Sequence, residues 1–229
     1  MNLENEKRLA AIEAVNLIKE GMIVGLGSGS TSAYMIEELG KKVKLGLKIK
    51  GVPSSEETRQ LAVKLEIPLT TLDQVEKLDI NIDGADEFDP KLRLIKGGGG
   101  ALLREKIVAH NADYNVIIAD SSKEVKRLGN FKLPIETVPF ATQSILKELS
   151  HHNLNPKLRM KNGAAYKTDQ NNHIIDLDIH DVSDIEGLNV MLVAIPGIVE
   201  TGLFLNTTDL VIIGKGKAIA KIHKKINGF

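Results

Sequence analysis

The sequence has no cysteine and no tryptophan in its 229 residues, and aromatic residues make up only 3%. The missing cysteine excludes a disulfide framework, a thiolate metal site and a cysteine nucleophile. So few aromatics argue against base-stacking platforms and against an aromatic sugar-binding cleft. An excess of charge of one sign is lacking too. The 30 lysines and arginines balance 30 aspartates and glutamates, whereas a nucleic-acid-binding surface carries a basic surplus. The longest apolar runs, residues 116–119 and 190–195, fall far short of the ~20 residues that a membrane helix needs. Glu4, Glu6, Glu13 and Glu20 interrupt the apolar positions of the first twenty residues, unlike the core of a secretory signal, so the expected location is cytoplasmic.

What is present is an ordinary globular composition, 42% hydrophobic and 26% charged. A chain of this length buries roughly 70% of its unfolded surface and is not expected to be disordered. Leu9, Ile12, Val15 and Ile18 recur at three-residue steps and predict a helix over residues 6–19. Strands at 22–26, 47–52, 67–70, 78–83 and 114–119 alternate with helices at 32–39, 56–65 and 101–110. That rhythm predicts right-handed crossovers and a mostly parallel, Rossmann-like α/β sheet with helices on both faces. After residue 126 the rhythm changes. A strand at 131–138, a helix at 141–149, strands near 158–160 and at 173–180, a helix at 182–194 and a strand at 198–204 follow the order β-α-β-β-α-β. This is the ferredoxin-like α+β order. A further strand at 209–213 is expected to return to the first sheet. The division expected is therefore 1–128 with 205–229 as the α/β domain and 129–204 as a smaller insertion. The lysine-rich stretch 215–225 reads as a solvated terminal helix.

Three segments carry chemistry. Gly25-Leu26-Gly27-Ser28-Gly29-Ser30-Thr31 lies between a strand and a helix, where glycines admit a ligand to the backbone and free N–H groups attract an anion. Three hydroxyls in four positions suit a phosphate. A dinucleotide fits poorly, since Ser30 stands where a third glycine is needed and residues 40–55 contain no acid for a ribose. Asp83-Gly84-Ala85-Asp86-Glu87 follows a strand, at the end where open α/β sheets bind ligands. Its carboxylates suit acid/base work or a metal, but no histidine or further acidic cluster is near in sequence. Lys96-Gly97-Gly98-Gly99-Gly100-Ala101-Leu102-Leu103-Arg104-Glu105-Lys106 is the strongest signal. Four glycines cost chain entropy and are expected only where other side chains do not fit, and they allow a nest of N–H groups at a helix start. Lys96 and Glu105 are expected to face one cavity, with Arg104 and Lys106 on outer faces. Together these groups suit proton transfer beside a carbonyl: a carboxylate base, an acid/base pair for oxygens and a cation for enolate charge. That chemistry calls for no cofactor and no metal.

These strings resemble the site motifs of the type A ribose-5-phosphate isomerase family. Ala119-Asp120-Ser121-Ser122-Lys123 and the stretches Ile195-Pro196-Gly197 and Gly202-Leu203-Phe204 extend the likeness over nearly the whole chain. One departure is Ser28, where threonine is usual; the hydroxyl is kept. The resemblance implies interconversion of D-ribose 5-phosphate and D-ribulose 5-phosphate through an enediol. It implies Glu105 as the base, Asp83 and Asp86 as the carboxylates for substrate oxygens and ring opening, and Lys96 as the cation beside the enediolate. Substrate contacts implied are Lys7, Ser28, Gly29, Ser30, Thr31, Asp83, Gly84, Ala85, Asp86, Lys96, Gly97, Gly98, Gly99 and Lys123. The family is typically dimeric or tetrameric, so a homodimer or homotetramer is expected, with no nucleic-acid or membrane partner. The rival readings are a non-catalytic sugar-phosphate sensor, which needs neither Lys96 nor Glu105, and another enzyme on a similar sheet, such as an acyl-CoA transferase or a sugar-phosphate deaminase-isomerase.

Overall fold

A computed structural model describes residues 2–224. Its centre is a six-stranded sheet in the order Ala218–His223, Leu210–Lys215, Asn115–Asp120, Ile80–Gly84, Ile23–Leu26, Lys50–Pro53. All neighbours are parallel except the first pair. Asn115–Asp120 is buried at every residue, as a parallel strand covered on both faces must be. Alternate residues choose the face. Val116, Ile118, Leu210 and Ile212 pack with helices α1 (Leu3–Val15) and α2 (Ser30–Lys44) through Ala10, Ala14, Met35 and Leu39. Ile117, Ala119, Val211 and Ile213 face the other way, toward Phe88, Leu94 and Phe204. Helix α3 (Glu56–Lys64) starts at Ser55, whose side chain caps the Thr58 N–H. Helix α4 (Leu102–His110) follows the glycine loop and adds Ala109 to the second face.

The second half builds a four-stranded antiparallel sheet in the order Ile198–Thr201, Leu133–Thr137, His173–Leu177, Lys157–Leu158. Helices α5 (Thr142–His151) and α6 (Ile185–Val193) cover it through Ile145, Leu149, Ile185 and Leu192. This is the ferredoxin-like arrangement, and the chain as a whole is α/β with this smaller α+β layer added. The predicted strand over 198–204 breaks in two. The Gly202 N–H donates to Pro134 O and the Lys96 N–H donates to Gly202 O, so Leu203–Phe204 leaves the small sheet and pairs with Leu94–Ile95. Residues 67–70 contribute one bridge, Gly51 with Leu69, rather than a strand.

The lysine-rich end is a correction. Residues 215–224 are not helical; a turn at Gly216 sends Ala218–His223 back along Leu210–Lys215 as an edge strand. Ala220 and Ile222 alternate inward while Lys221 reaches Glu13, so a period of two overrides the charge count. Lys225 lies outside the described residues. The turn is fastened by Glu6 of α1, whose carboxylate accepts from the Gly216 N–H at 2.7 Å. No helix among the described residues is long and apolar enough to cross a membrane.

Candidate active site

The chain leaves Ile23–Leu26 toward Lys50–Pro53 on one side and later continues at Ile80–Gly84 on the other. A crevice therefore opens beyond the carboxyl ends of Ile23–Leu26 and Ile80–Gly84, the place where such sheets bind ligands. The first loop, the acidic turn and the glycine loop meet there around a pocket of about 100 Å³. Its walls include Ser28, Gly29, Ser30, Thr31, Gly84, Ala85, Asp86, Lys96, Gly97, Gly98, Gly99, Glu105 and Lys123, all predicted, and Ala101, which was not.

Lys96 is the hub. Its ammonium lies 3.0 Å from Asp83 Oδ2, 3.0 Å from Glu105 Oε1 and 2.5 Å from Gly84 O. Burial works against its charge, and the carboxylates of Asp83 and Glu105 more than offset that, holding it cationic above the ordinary lysine range. Glu105 is 5% exposed. Burial raises its carboxyl, Lys96 opposes the rise, Asp83 and Asp86 add to it, and the result is pushed up to about 8. Its second oxygen, Oε2, is buried and has no partner. A carboxylate so placed is a base matched to neutral pH with a free lone pair.

Asp83 does not line the pocket. Its Oδ1 accepts from the Ser28 N–H at 3.0 Å and the Gly84 N–H at 2.8 Å, and Oδ2 holds Lys96. The carboxylate stands behind the lysine and fixes it. Gly27 makes this possible, because a Cβ there would lie 2.5 Å from the Asp83 Cα. Asp86 does face the pocket, with Oδ2 accepting from the Gly98 N–H at 2.7 Å.

At the other end α2 begins without a side-chain cap, so its first N–H groups and the positive end of its dipole are open to an anion. Lys123, on the turn after Asn115–Asp120, completes that end. Ser28 turns its hydroxyl inward onto Ser54 and Ser55 at 2.8 Å each. Lys7 is not among the lining residues; its ammonium pairs with Glu4 at 2.8 Å.

The glycine loop bears out steric necessity at three of its four positions. Gly97 and Gly100 have φ of 107° and 82°, and a Cβ on Gly98 would meet Asp86 at 2.7 Å, whereas Gly99 has open space around it. Lys106 is a second correction. It is not on an outer face; its ammonium donates to Glu200, Thr201 O and Leu203 O and lies over the Phe204 ring, tying α4 to the junction of Ile198–Thr201 and Leu203–Phe204. Arg104 is partly exposed, against Asp169 and Gln170. Sequence reasoning missed Ser32, whose hydroxyl reaches Asp83 at 3.4 Å, and Arg159 and Tyr166, which grip the glycine loop from behind. Ser32 belonged to a visible run of hydroxyls; nothing local marks the other two.

The family described as ribose 5-phosphate isomerase A (phosphoriboisomerase A) matches residues 50–218. Ribose-5-phosphate isomerase A of Parvibaculum lavamentivorans is 47% identical over 95% of this chain and 97% of its own length, and that of Listeria monocytogenes is 44% identical over 96% and 99%. Among solved structures, a D-ribose-5-phosphate isomerase in complex with phospho-erythronic acid superposes with a TM-score of 0.94 at 41% identity, covering 97% of this chain and 100% of the other. The ribose 5-phosphate isomerase of Plasmodium falciparum gives 0.94 at 36% identity, covering 97% and 100%.

Proposed function

The chain belongs to the ribose 5-phosphate isomerase A family, whose members interconvert D-ribose 5-phosphate and D-ribulose 5-phosphate, and we propose that it does so with Glu105 as the base that carries a proton between C2 and C1. The reading places it in the non-oxidative branch of the pentose phosphate pathway. The observation that carries it is the buried, unpartnered Oε2 of Glu105 on the pocket wall, beside the Lys96 cation.

The phosphate sits at the N-terminus of α2, on Ser30, Thr31 and Lys123, and the open-chain sugar runs toward Glu105 past Gly84, Ala85 and Asp86. Glu105 takes the proton from C2, the C2 electrons form the C1–C2 double bond, and the carbonyl oxygen O1 becomes the oxyanion of an enediolate. Return of the proton to C1, with O1 protonated and the O2 proton lost, gives the ketose. Asp86 exchanges protons with the substrate oxygens and assists ring opening. Lys96 stabilises the oxyanion through its charge, and Asp83 acts by anchoring Lys96. Lys7 joins the phosphate contacts if its ammonium leaves Glu4 for the anion. No metal is assigned a role.

We assign catalysis to a unit of residues 1–128 with 205–229 and treat 129–204 as an inserted unit, which the separate apolar clusters support. A homodimer or homotetramer is supported by the fully exposed Phe140 and by the exposed Val138, Val190 and Val193 of the small unit, apolar surface that a second copy covers. A cytoplasmic location suits a chain without cysteine. A coupled assay for ribulose 5-phosphate, run with excess chelator, tests the reaction. Turnover is expected to survive the chelator and to vanish in Glu105→Gln, with sugar-phosphate binding retained. A Gln variant with near-normal turnover overturns the assignment of the base, and binding without turnover in the wild type moves the weight to a sensor.

A further inference from the structure

The glycine loop is held from the side away from the pocket by the small unit, and we infer that this hold, centred on Arg159, presets the Gly99 N–H as the hydrogen-bond donor to the substrate oxyanion. The inference rests on the isomerase reading and assigns Arg159 as a positioning residue for it.

Arg159 lies between the short strands Lys157–Leu158 and Met160–Lys161. One edge of its guanidinium, Nε and Nη2, donates to the two oxygens of Asp176 at 3.0 and 2.5 Å. The remaining nitrogen, Nη1, donates to Gly97 O at 2.9 Å and Gly98 O at 3.0 Å. A planar fork anchored along one edge leaves the other edge little freedom. Tyr166 adds a bond from its hydroxyl to Gly99 O at 3.1 Å. In a trans peptide the C=O and the following N–H point in opposite directions. Turning the Gly98 carbonyl onto Arg159 therefore turns the Gly99 N–H away from it.

The neighbouring amides are already engaged: Gly98 N–H donates to Asp86 and Gly100 N–H donates to Gly97 O. Among the described residues, the Gly99 N–H has no acceptor within the protein, and Gly99 lines the pocket with open space around it. The site needs such a donor. An ammonium has three protons, and Lys96 has three acceptors within 3.0 Å, namely Asp83, Glu105 and Gly84 O. Lys96 thus supplies field but no spare N–H. A fixed amide aimed where charge develops binds the enediolate more tightly than the ground state.

The test uses the full chain with Arg159→Met, Arg159→Lys and Tyr166→Phe, measuring kcat and KM and inhibition by phospho-erythronic acid and by inorganic phosphate. The carboxylate of phospho-erythronic acid resembles the enediolate, while phosphate occupies only the far end. Arg159→Met is expected to lower kcat roughly tenfold or more and to weaken phospho-erythronic acid by a similar factor. KM and phosphate inhibition should stay within about twofold, and Arg159→Lys should recover only part of the loss, because an ammonium cannot span Asp176 and both carbonyls. A merely structural role would weaken both inhibitors alike, and that result overturns the inference, as does a folded Arg159→Met with unchanged kcat. Should Arg159→Met not fold, Tyr166→Phe carries the test, with an expected loss of about threefold in kcat from one released hydrogen bond and no change in phosphate inhibition. An unchanged kcat there overturns it. A wild type without turnover refutes the isomerase reading instead, which is a distinct result.

Discussion

Replacing Glu105 by Gln gives a stability signature as well as a loss of turnover. In the unfolded chain this carboxyl titrates near 4.5, and in the folded chain near 8. Over that window the folded protein holds a proton that the unfolded chain has released. The stabilisation is thus fully present below about pH 4.5 and is lost as pH rises to about 8, by up to about 1.4 kcal/mol per pH unit. Gln binds no proton and carries no such slope. Between about pH 6 and about pH 8 the variant should therefore gain on the wild type by roughly 2 kcal/mol. At about 2–4 °C per kcal/mol for a chain of this size, the gap in Tm should widen by roughly 4–8 °C. The assay is thermal unfolding of both proteins across that range at constant ionic strength. A gap in Tm that does not change with pH would refute the raised carboxyl, and with it the matching of this base to neutral pH.

Four further outcomes are expected. The log of kcat/KM for the wild type should rise with unit slope up to about pH 8, the value for Glu105, measured with the coupled assay. Lys96→Met should cost roughly 100-fold or more in kcat and about 3–5 kcal/mol in denaturant unfolding, because the buried Asp83 carboxylate then loses its counter-ion. Lys123→Ala should raise KM about tenfold with kcat nearly unchanged, an effect that shrinks as salt is added. Gly27→Ala should destabilise by about 1–3 kcal/mol, since its Cβ would clash with Asp83 Oδ1 and lie 2.5 Å from the Asp83 Cα; chemical denaturation reads this directly.

The sequence made the central sheet legible because a parallel strand covered on both faces has a continuous apolar run, as at residues 116–119 within Asn115–Asp120. The site was legible for a related reason. Glycines and acids clustered at strand ends are positioned by local chain geometry, so spacing alone brings Lys96 and Glu105 together. What spacing could not convey is depth. Asp83 and Asp86 look alike in one turn, yet one is buried behind Lys96 and the other faces the pocket. Nor does a lysine count reveal a strand: residues 218–223 alternate, but their lysine-rich flanks masked the pattern. Arg159 meets the glycine loop only through tertiary structure, with about sixty residues between them in the chain, and Lys106 finds its partners near residue 200 in the same way.

The late pairing of Leu210–Lys215 with Asn115–Asp120 bears on how the protein is made. Every catalytic group assigned above is translated before residue 124, but the strand that covers this apolar edge, seating Leu210 beside Val116, emerges much later. Until then the nascent chain carries an unpaired, hydrophobic sheet edge, the feature that recruits chaperones or other chains. Glu6 then waits for Gly216, so that the Leu3–Val15 helix clasps the turn between the two edge strands. A message cut short before Leu210 would yield a polypeptide that holds every catalytic group assigned above but leaves Asn115–Asp120 without its outer neighbour.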